Sequence, residues 1–131
     1  MELERIRKRI DAIDAELALL INQRLELALL TRRYKSLTTD QQREIRVLGE
    51  ARRRSQHLLN PDFSQDLFQR IIDESKKIQE RNPSLAGFQG EHGAYSEEAL
   101  SLTLTEHVSI PCQSFKEVLE GVEKGELDVG I

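Results

Sequence analysis

The chain is 131 residues long, with 32% charged and 5% aromatic residues, a single Cys and no Trp. This length allows one ordinary domain or a small domain plus a further piece, and the lone Cys112 excludes a disulfide framework and a multi-cysteine zinc site. A net charge of −4 argues against a general nucleic-acid binder. No apolar run nears the roughly 20 residues of a membrane span, and the opening MELERIRKRID carries no signal-peptide stretch, so a cytoplasmic protein with no membrane partner is expected. The average hides a division. Residues 1–84 hold 17 Lys/Arg and 14 Asp/Glu, whereas residues 85–131 hold 2 and 9, and six of the seven glycines lie in that second part. The break falls at Asn82-Pro83-Ser84, where Pro83 disfavours helix in the residue before it. Two domains are expected, 1–84 and 85–131.

From Met1 to about Ser36, the residues Ile6, Ile10, Ile13, Leu17, Leu20, Arg24, Leu27, Thr31 and Tyr34 follow at alternating steps of 4 and 3. That is a heptad seam, whose period favours a left-handed helix crossing. A rod of about 35 residues is roughly 50 Å long. It cannot bury its seam on itself and needs later helices or a second chain. A second helix is predicted from Asp40, a good N-cap with Glu44 in the first turn, fading near Leu59, with Val47, Leu48 and Ala51 inward. Asn60-Pro61 reads as N-cap and first position of a third helix that runs to about Arg81, with Phe63, Leu67, Phe68, Ile71, Ile72 and Ile78 inward.

The interruptions of these apolar faces carry more information than the faces do. Arg24 stands mid-seam where Leu or Ile is expected, and a buried guanidinium requires an anionic partner. Lys35 follows 11 residues later, which on a continuous helix brings it within roughly 20° of the Arg24 face. Ser75 and Gln79 form an i, i+4 pair on the apolar line of the third helix. Together these four groups can line a positive cavity inside a helical bundle. Taken one at a time, each also fits a register device or a snorkelling side chain. Arg32-Arg33 and Arg52-Arg53-Arg54 read as solvated faces.

With those positions in view, residues 3–81 resemble the all-helical chorismate mutases. The opening pattern is Ile6-Arg7-Lys8-Arg9-Ile10-Asp11-Ala12-Ile13-Asp14, the seam arginine is Arg24, and the first-helix lysine is Lys35. The second helix begins with Asp40-Gln41-Gln42-Arg43-Glu44, and the closing pattern is Ile71-Ile72-Asp73-Glu74-Ser75-Lys76-Lys77-Ile78-Gln79. Between Lys35 and Asp40 the turn Ser36-Leu37-Thr38-Thr39 is shorter than in many members. The resemblance implies a three-helix chain forming an intertwined homodimer. It also implies the Claisen rearrangement of chorismate, a dianion, to prephenate. That reaction calls for a compact bound conformer and charge stabilisation at the breaking ether bond, with no nucleophile, metal or cofactor. By the same resemblance Arg7, Arg24 and Ser75 bind the two carboxylates, and Lys35 and Gln79 donate to the ether oxygen. Glu44, with Asp40, accepts from the ring hydroxyl, and Arg43 supports the site. Gln79 donates at any pH, so little acid dependence of the rate is expected near neutrality. Arg7 and Arg24 are 17 residues apart, roughly 25 Å along a straight helix. One small substrate cannot touch both, so Arg7 is expected to serve the partner's site.

The remaining residues read as strand, helix, strand, helix, strand: Leu85–Phe88, a helix capped by Ser96 and running to about Leu104, Val108–Ile110, Ser114–Glu123 and Leu127–Ile131. The Gly87, Gly90 and Gly93 spacing reads as a tight turn, although a Gly-rich turn before a helix can also hold an anion. The stretches Gly87–Ala99 and Gly125–Ile131 are similar to the opening of prephenate dehydratases. The later Thr-Arg-Phe motif of that family lies outside these 47 residues, so dehydratase activity is not expected of this polypeptide. A piece this small offers little core of its own and is expected to be partly disordered, or sheltered by the helices or a neighbouring chain. The fold class is therefore mainly α, a three-helix unit followed by an incomplete βαβαβ segment. The alternative function is a non-catalytic helical dimerisation module, or one that senses an aromatic metabolite. The same fold serves either.

Overall fold

The computed structural model describes residues 2–34, 41–103 and 106–131. Three helices come first: α1 (Leu3–Thr31), α2 (Gln41–Arg54) and α3 (Pro61–Glu80). A parallel α/β unit follows: β1 (Leu85–Gln89), α4 (Tyr95–Thr103), β2 (Val108–Cys112), α5 (Phe115–Glu123) and β3 (Val129–Gly130). The mainly helical class with a small parallel α/β segment is the one the sequence led us to expect.

Helix α1 ends at Thr31, short of the Ser36 expected from the heptads. Its last turn tightens, with the amides of Arg32, Arg33 and Tyr34 donating to carbonyls three residues back. Lys35 and Asp40 lie outside the described residues. Helix α2 stops at Arg54, before the expected Leu59. There the Ser55 hydroxyl donates back to the Ala51 carbonyl at 2.8 Å, and His57 takes a left-handed φ of 60°. Helix α3 opens as its sequence predicts: the Asn60 side chain accepts from the amides of Asp62 (2.8 Å) and Phe63 (3.2 Å), with Pro61 in the first turn. It ends before Asn82, whose φ of 49° turns the chain out of the helix ahead of Pro83.

Helices α2 and α3 run antiparallel. Near their connection the Ser64 hydroxyl donates to the Ala51 carbonyl at 3.2 Å, and at the far end Lys76 Nζ lies 2.5 Å from Glu44 Oε1. The packed face of α3 passes through Ser64, Phe68, Ile72, Ser75 and Gln79, at helical steps of 3 and 4. Phe63 and Leu67, expected inward, fall off that line and are exposed. Small Ser64 and Ser75 are buried on it and let the neighbouring helices come close.

The strand order is β2-β1-β3, all parallel, with Leu85 opposite Val108 and Ala86 opposite Val129. Central β1 reads as a continuous apolar run because both of its faces are covered. Alternate residues serve the two faces. Ala86 and Phe88 pack with Leu100 of α4. On the other face Leu85 joins Ile110, Cys112, Val118 and Leu127, and this cluster takes in Leu29 and Leu30 of α1 and Ile78 of α3. Of the two fates foreseen for the C-terminal piece, shelter against the helices is the one seen. Gly87 makes that packing possible, since a Cβ there would stand 2.5 Å from Leu127 Cδ1. The α4 helix begins at Tyr95, so Ser96 lies inside it and is not its N-cap. Strand β2 runs two residues beyond the expected Ile110, and β3 keeps only Val129–Gly130 of the expected five. Gly90 (φ 127°) and Gly93 (φ 92°) form the tight turn read from their spacing.

Candidate active site

A cleft of about 390 Å³ opens between α1, α2 and α3. Among the described residues four cations line it, Arg24 from α1 and Arg43, Arg46 and Arg54 from α2, against a single carboxylate, Glu50. Val47, Ala51, Leu59 and Phe68 form its apolar wall. The α2 contributors recur at steps of 3 and 4, so one face of that helix carries them all. Glu50 is engaged chiefly by Arg53, outside the lining, and more distantly by Arg54 within it. It accepts from Arg53 Nε at 3.0 Å and Nη2 at 2.5 Å, and lies 3.5 Å from Arg54.

Arg24 is half-buried, and its pKa is pushed down, first by burial and then by the facing charge of Arg43. Two guanidinium groups held close enough to oppose each other's charge favour an anion between them. The ligand such a site suits has at least one carboxylate for the arginines and an apolar body for the Val47 and Phe68 wall.

The other residues singled out from the sequence are distributed differently. Arg7 is exposed on the first turns of α1, 3.1 Å from Glu4. Glu44 faces Lys76 across the α2–α3 seam. The Ser75 hydroxyl is buried and donates to the Ile71 carbonyl at 2.9 Å. Gln79 Nε2 donates to the Ala28 carbonyl at 2.7 Å, tying α3 to α1. The cleft thus brings Arg24 and Arg43 together but is not lined by Arg7, Glu44, Ser75 or Gln79. Arg46, Glu50 and Arg54 belong to its lining and were not singled out from the sequence. Their signal was present in the recurrence of Arg43, Arg46, Glu50 and Arg54 along α2, hidden because Arg54 sits in a run of three arginines.

Arg33, also read as a solvated face, is bound on the other side of the helical unit. Its Nη1 and Nη2 reach the two Asp128 oxygens at 2.9 and 2.8 Å. Among the described residues no helix is long and apolar enough to cross a membrane.

A long helix packed on an antiparallel helical pair, with an arginine-lined cleft at the junction, defines a three-helix unit with an α/β appendage. The chorismate mutase type II family matches residues 6–80, more than half of the chain, and the protein belongs to that family. The prephenate dehydratase family matches residues 86–131. No curated relative and no solved structure matches the chain.

Proposed function

We propose that the chain is an isomerase that rearranges chorismate to prephenate in the synthesis of phenylalanine and tyrosine. The observation that carries this reading is the meeting of Arg24 and Arg43 on one cleft where, among the described residues, the one lining carboxylate is engaged by Arg53 and Arg54. Such a cleft suits a dianion and holds it by charge-assisted hydrogen bonds. The rearrangement needs no proton transfer, so catalysis is positioning of the compact conformer together with stabilisation of charge growing on the ether oxygen. In this reading Arg24 and Arg43 hold the substrate carboxylates, joined by Ser75 when its hydroxyl turns from the Ile71 carbonyl to donate to the substrate. Lys35 and Gln79 donate to the ether oxygen, and Glu44 with Asp40 accepts from the ring hydroxyl. Gln79 retains a second amide hydrogen beside the one given to Ala28.

The working form is a homodimer. Ile10, Ile13, Leu17 and Leu20 lie on one heptad line of α1 and are 50–56% exposed in a single chain, which suits burial against a second copy. Arg7 sits on the same free half of the helix and would serve the partner's cleft. The helical unit, 1–84, carries the reaction, and residues 85–131 form the second unit.

The test follows the absorbance of chorismate with the purified chain and with Arg24→Ala. Wild-type turnover above the uncatalysed rate is expected, with kcat/KM lowered about 10²-fold or more by the substitution. Equal rates in both proteins would remove the reading. The non-catalytic alternative has one observation in its favour, since Gln79 and Glu44 are both engaged inside the chain. Chorismate binding detected by calorimetry, without turnover, would establish it.

A further inference from the structure

Helix α1 passes from an exposed to a packed stretch at Glu26, its first buried residue. That carboxylate does not meet a cation of the helical unit. Glu26 Oε1 lies 2.5 Å from Nε2 of His92, in the turn between β1 and α4, and 2.6 Å from the Asn22 amide that donates to it. The other ring nitrogen, Nδ1, lies 2.5 Å from Glu97 Oε2 of α4. Glu97 is itself fixed by the Gly93 amide at 2.8 Å and the Ser109 hydroxyl at 2.8 Å. The Phe88 ring of β1 stands beside the imidazole, with centroids 5.8 Å apart. Glu26 from α1 and Glu97 from α4 are the charged groups acting on His92.

An ionised carboxylate only accepts hydrogen bonds, and a neutral imidazole donates from one nitrogen alone. Two carboxylate oxygens, one at each ring nitrogen, are both satisfied only when both nitrogens carry protons. A ring with a single proton would turn one of these contacts into a repulsion between lone pairs.

We propose that the imidazolium of His92 is a proton-dependent clamp that docks the α/β unit on α1 at the turn that follows Arg24. Burial pulls the His92 pKa down, but the hydrogen bonds to Glu26 and Glu97 outweigh it and the net shift is upward. A group whose folded-state pKa is raised stabilises the fold fully below its unfolded pKa, and that contribution is lost as pH rises through the folded value. The clamp therefore weakens as pH rises through that raised value, above the ordinary midpoint of the ring. The second polar join between the units behaves otherwise. Asp128 is paired with Arg33, stays ionised well above its folded pKa of about 2, and so holds throughout that range. On deprotonation of His92 the α/β unit remains tethered at the end of α1, by Arg33 and by Leu29 and Leu30 in the shared apolar cluster, but lets go at Glu26, loosening the stretch from Gln23 to Glu26 that carries Arg24.

The experiment uses the full chain and does not depend on mutase activity. The imidazole nitrogens of His92 are followed by NMR across a pH series, and amide exchange is recorded over residues 23–31 and 86–100 in wild type, His92→Gln and Glu26→Gln. Both His92 nitrogens are expected to stay protonated at about pH 6.5, the ordinary midpoint of the ring. Exchange in both segments should rise by about tenfold between about pH 6 and pH 9, after correction for intrinsic rates. His92→Gln should lack that rise, and Glu26→Gln should lower the His92 midpoint, since one of the two carboxylates that raise it is removed. A singly protonated His92 at about pH 6, or the same pH response in wild type and His92→Gln, would overturn the clamp. Either result leaves the mutase reading standing, and loss of chorismate turnover leaves the clamp standing.

Discussion

Leu85, Ala86 and Phe88 on the central strand are at most 1% exposed, while Ile10, Ile13, Leu17 and Leu20 on α1 each keep at least half of their surface in solvent. These two regions belong to one chain of 131 residues and carry comparably apolar side chains. The α/β unit closes its core within the chain, in part by taking in Leu29, Leu30 and Ile78 from the helical unit. The helical unit leaves a heptad seam unburied over its first twenty or so residues. A strand in a parallel sheet is covered by the helices that connect it to its neighbours, so its partners arrive with the same chain. A long helix extends away from its own chain, and only another molecule can reach its far half.

That difference is broken or sharpened most strongly at the seam. Ile13→Asp removes an apolar contact of about 1.5–3 kcal/mol. A two-fold interface repeats the change in both copies. Sedimentation should then show association weakened by about 10²-fold or more, and under the proposed sharing of Arg7 between copies mutase activity should fall in parallel. Unchanged association would mean that the exposed seam is not the dimer face. Mixed dimers of Arg7→Ala and Arg24→Ala chains sharpen the same point, since one intact cleft should reappear in each heterodimer. The second effect in size belongs to the closed region. Phe88→Ala opens a cavity at a fully buried site and should cost about 3–5 kcal/mol in urea unfolding. Because Leu85 of the same strand packs with Leu29 on its opposite face, the helical unit should lose its α1 packing in the same transition. A separate, later melting of the helices would show that the two regions are independent.

The contrast also explains what could be read in advance. Helix identity and the Asn60-Pro61 start followed from local chemistry, because a cap and a heptad are written in neighbouring residues. The alternation of strands and helices after Pro83 was legible for the same reason, although the side-chain cap lies at Ser114 of α5 and not at the expected Ser96 of α4. Ends set by distant contacts were not. Helix α1 stops at Thr31, where Arg33 is drawn to Asp128 and the Tyr34 hydroxyl to Glu126, residues more than ninety positions away. The inward face of α3 was misjudged at Phe63 and Leu67 because Ser64 and Ser75, which read as polar, are the small residues that admit the neighbouring helices. Within the cleft, Arg24 was legible as a misfit in an apolar line. Arg46 and Arg54 were not, since an arginine on a basic helix signals nothing until a second helix faces it.

Two helix caps provide a finer comparison, one in each region. Asn60 accepts from two backbone amides at the start of α3, and Ser114 accepts from one, that of Glu117, at 3.1 Å. Replacement by Ala should cost about 1 kcal/mol at Asn60 and somewhat less at Ser114, read as shifts in urea midpoint at constant slope. A larger loss at Ser114 would show that the α/β unit depends on its connecting helix more than on the strand core.

The smallest effect lies at the polar join between the regions and appears only in acid. The Arg33 guanidinium, donating to both Asp128 oxygens, holds the Asp128 pKa at about 2, below its ordinary 3.8. A depressed carboxyl pKa contributes stability above the unfolded value, and that contribution is lost as pH falls through the folded one. Wild type should therefore lose stability between about pH 4 and pH 2 that Asp128→Asn never had, and the two melting curves should converge at the acid end. The pair is partly open to solvent, at 21% and 37% side-chain exposure, so screening keeps the difference below about 1 kcal/mol. It should also shrink with added salt. A salt-independent difference of several times that size would place the join among the buried pairs and make it, rather than the shared apolar cluster, the principal tie between the two regions.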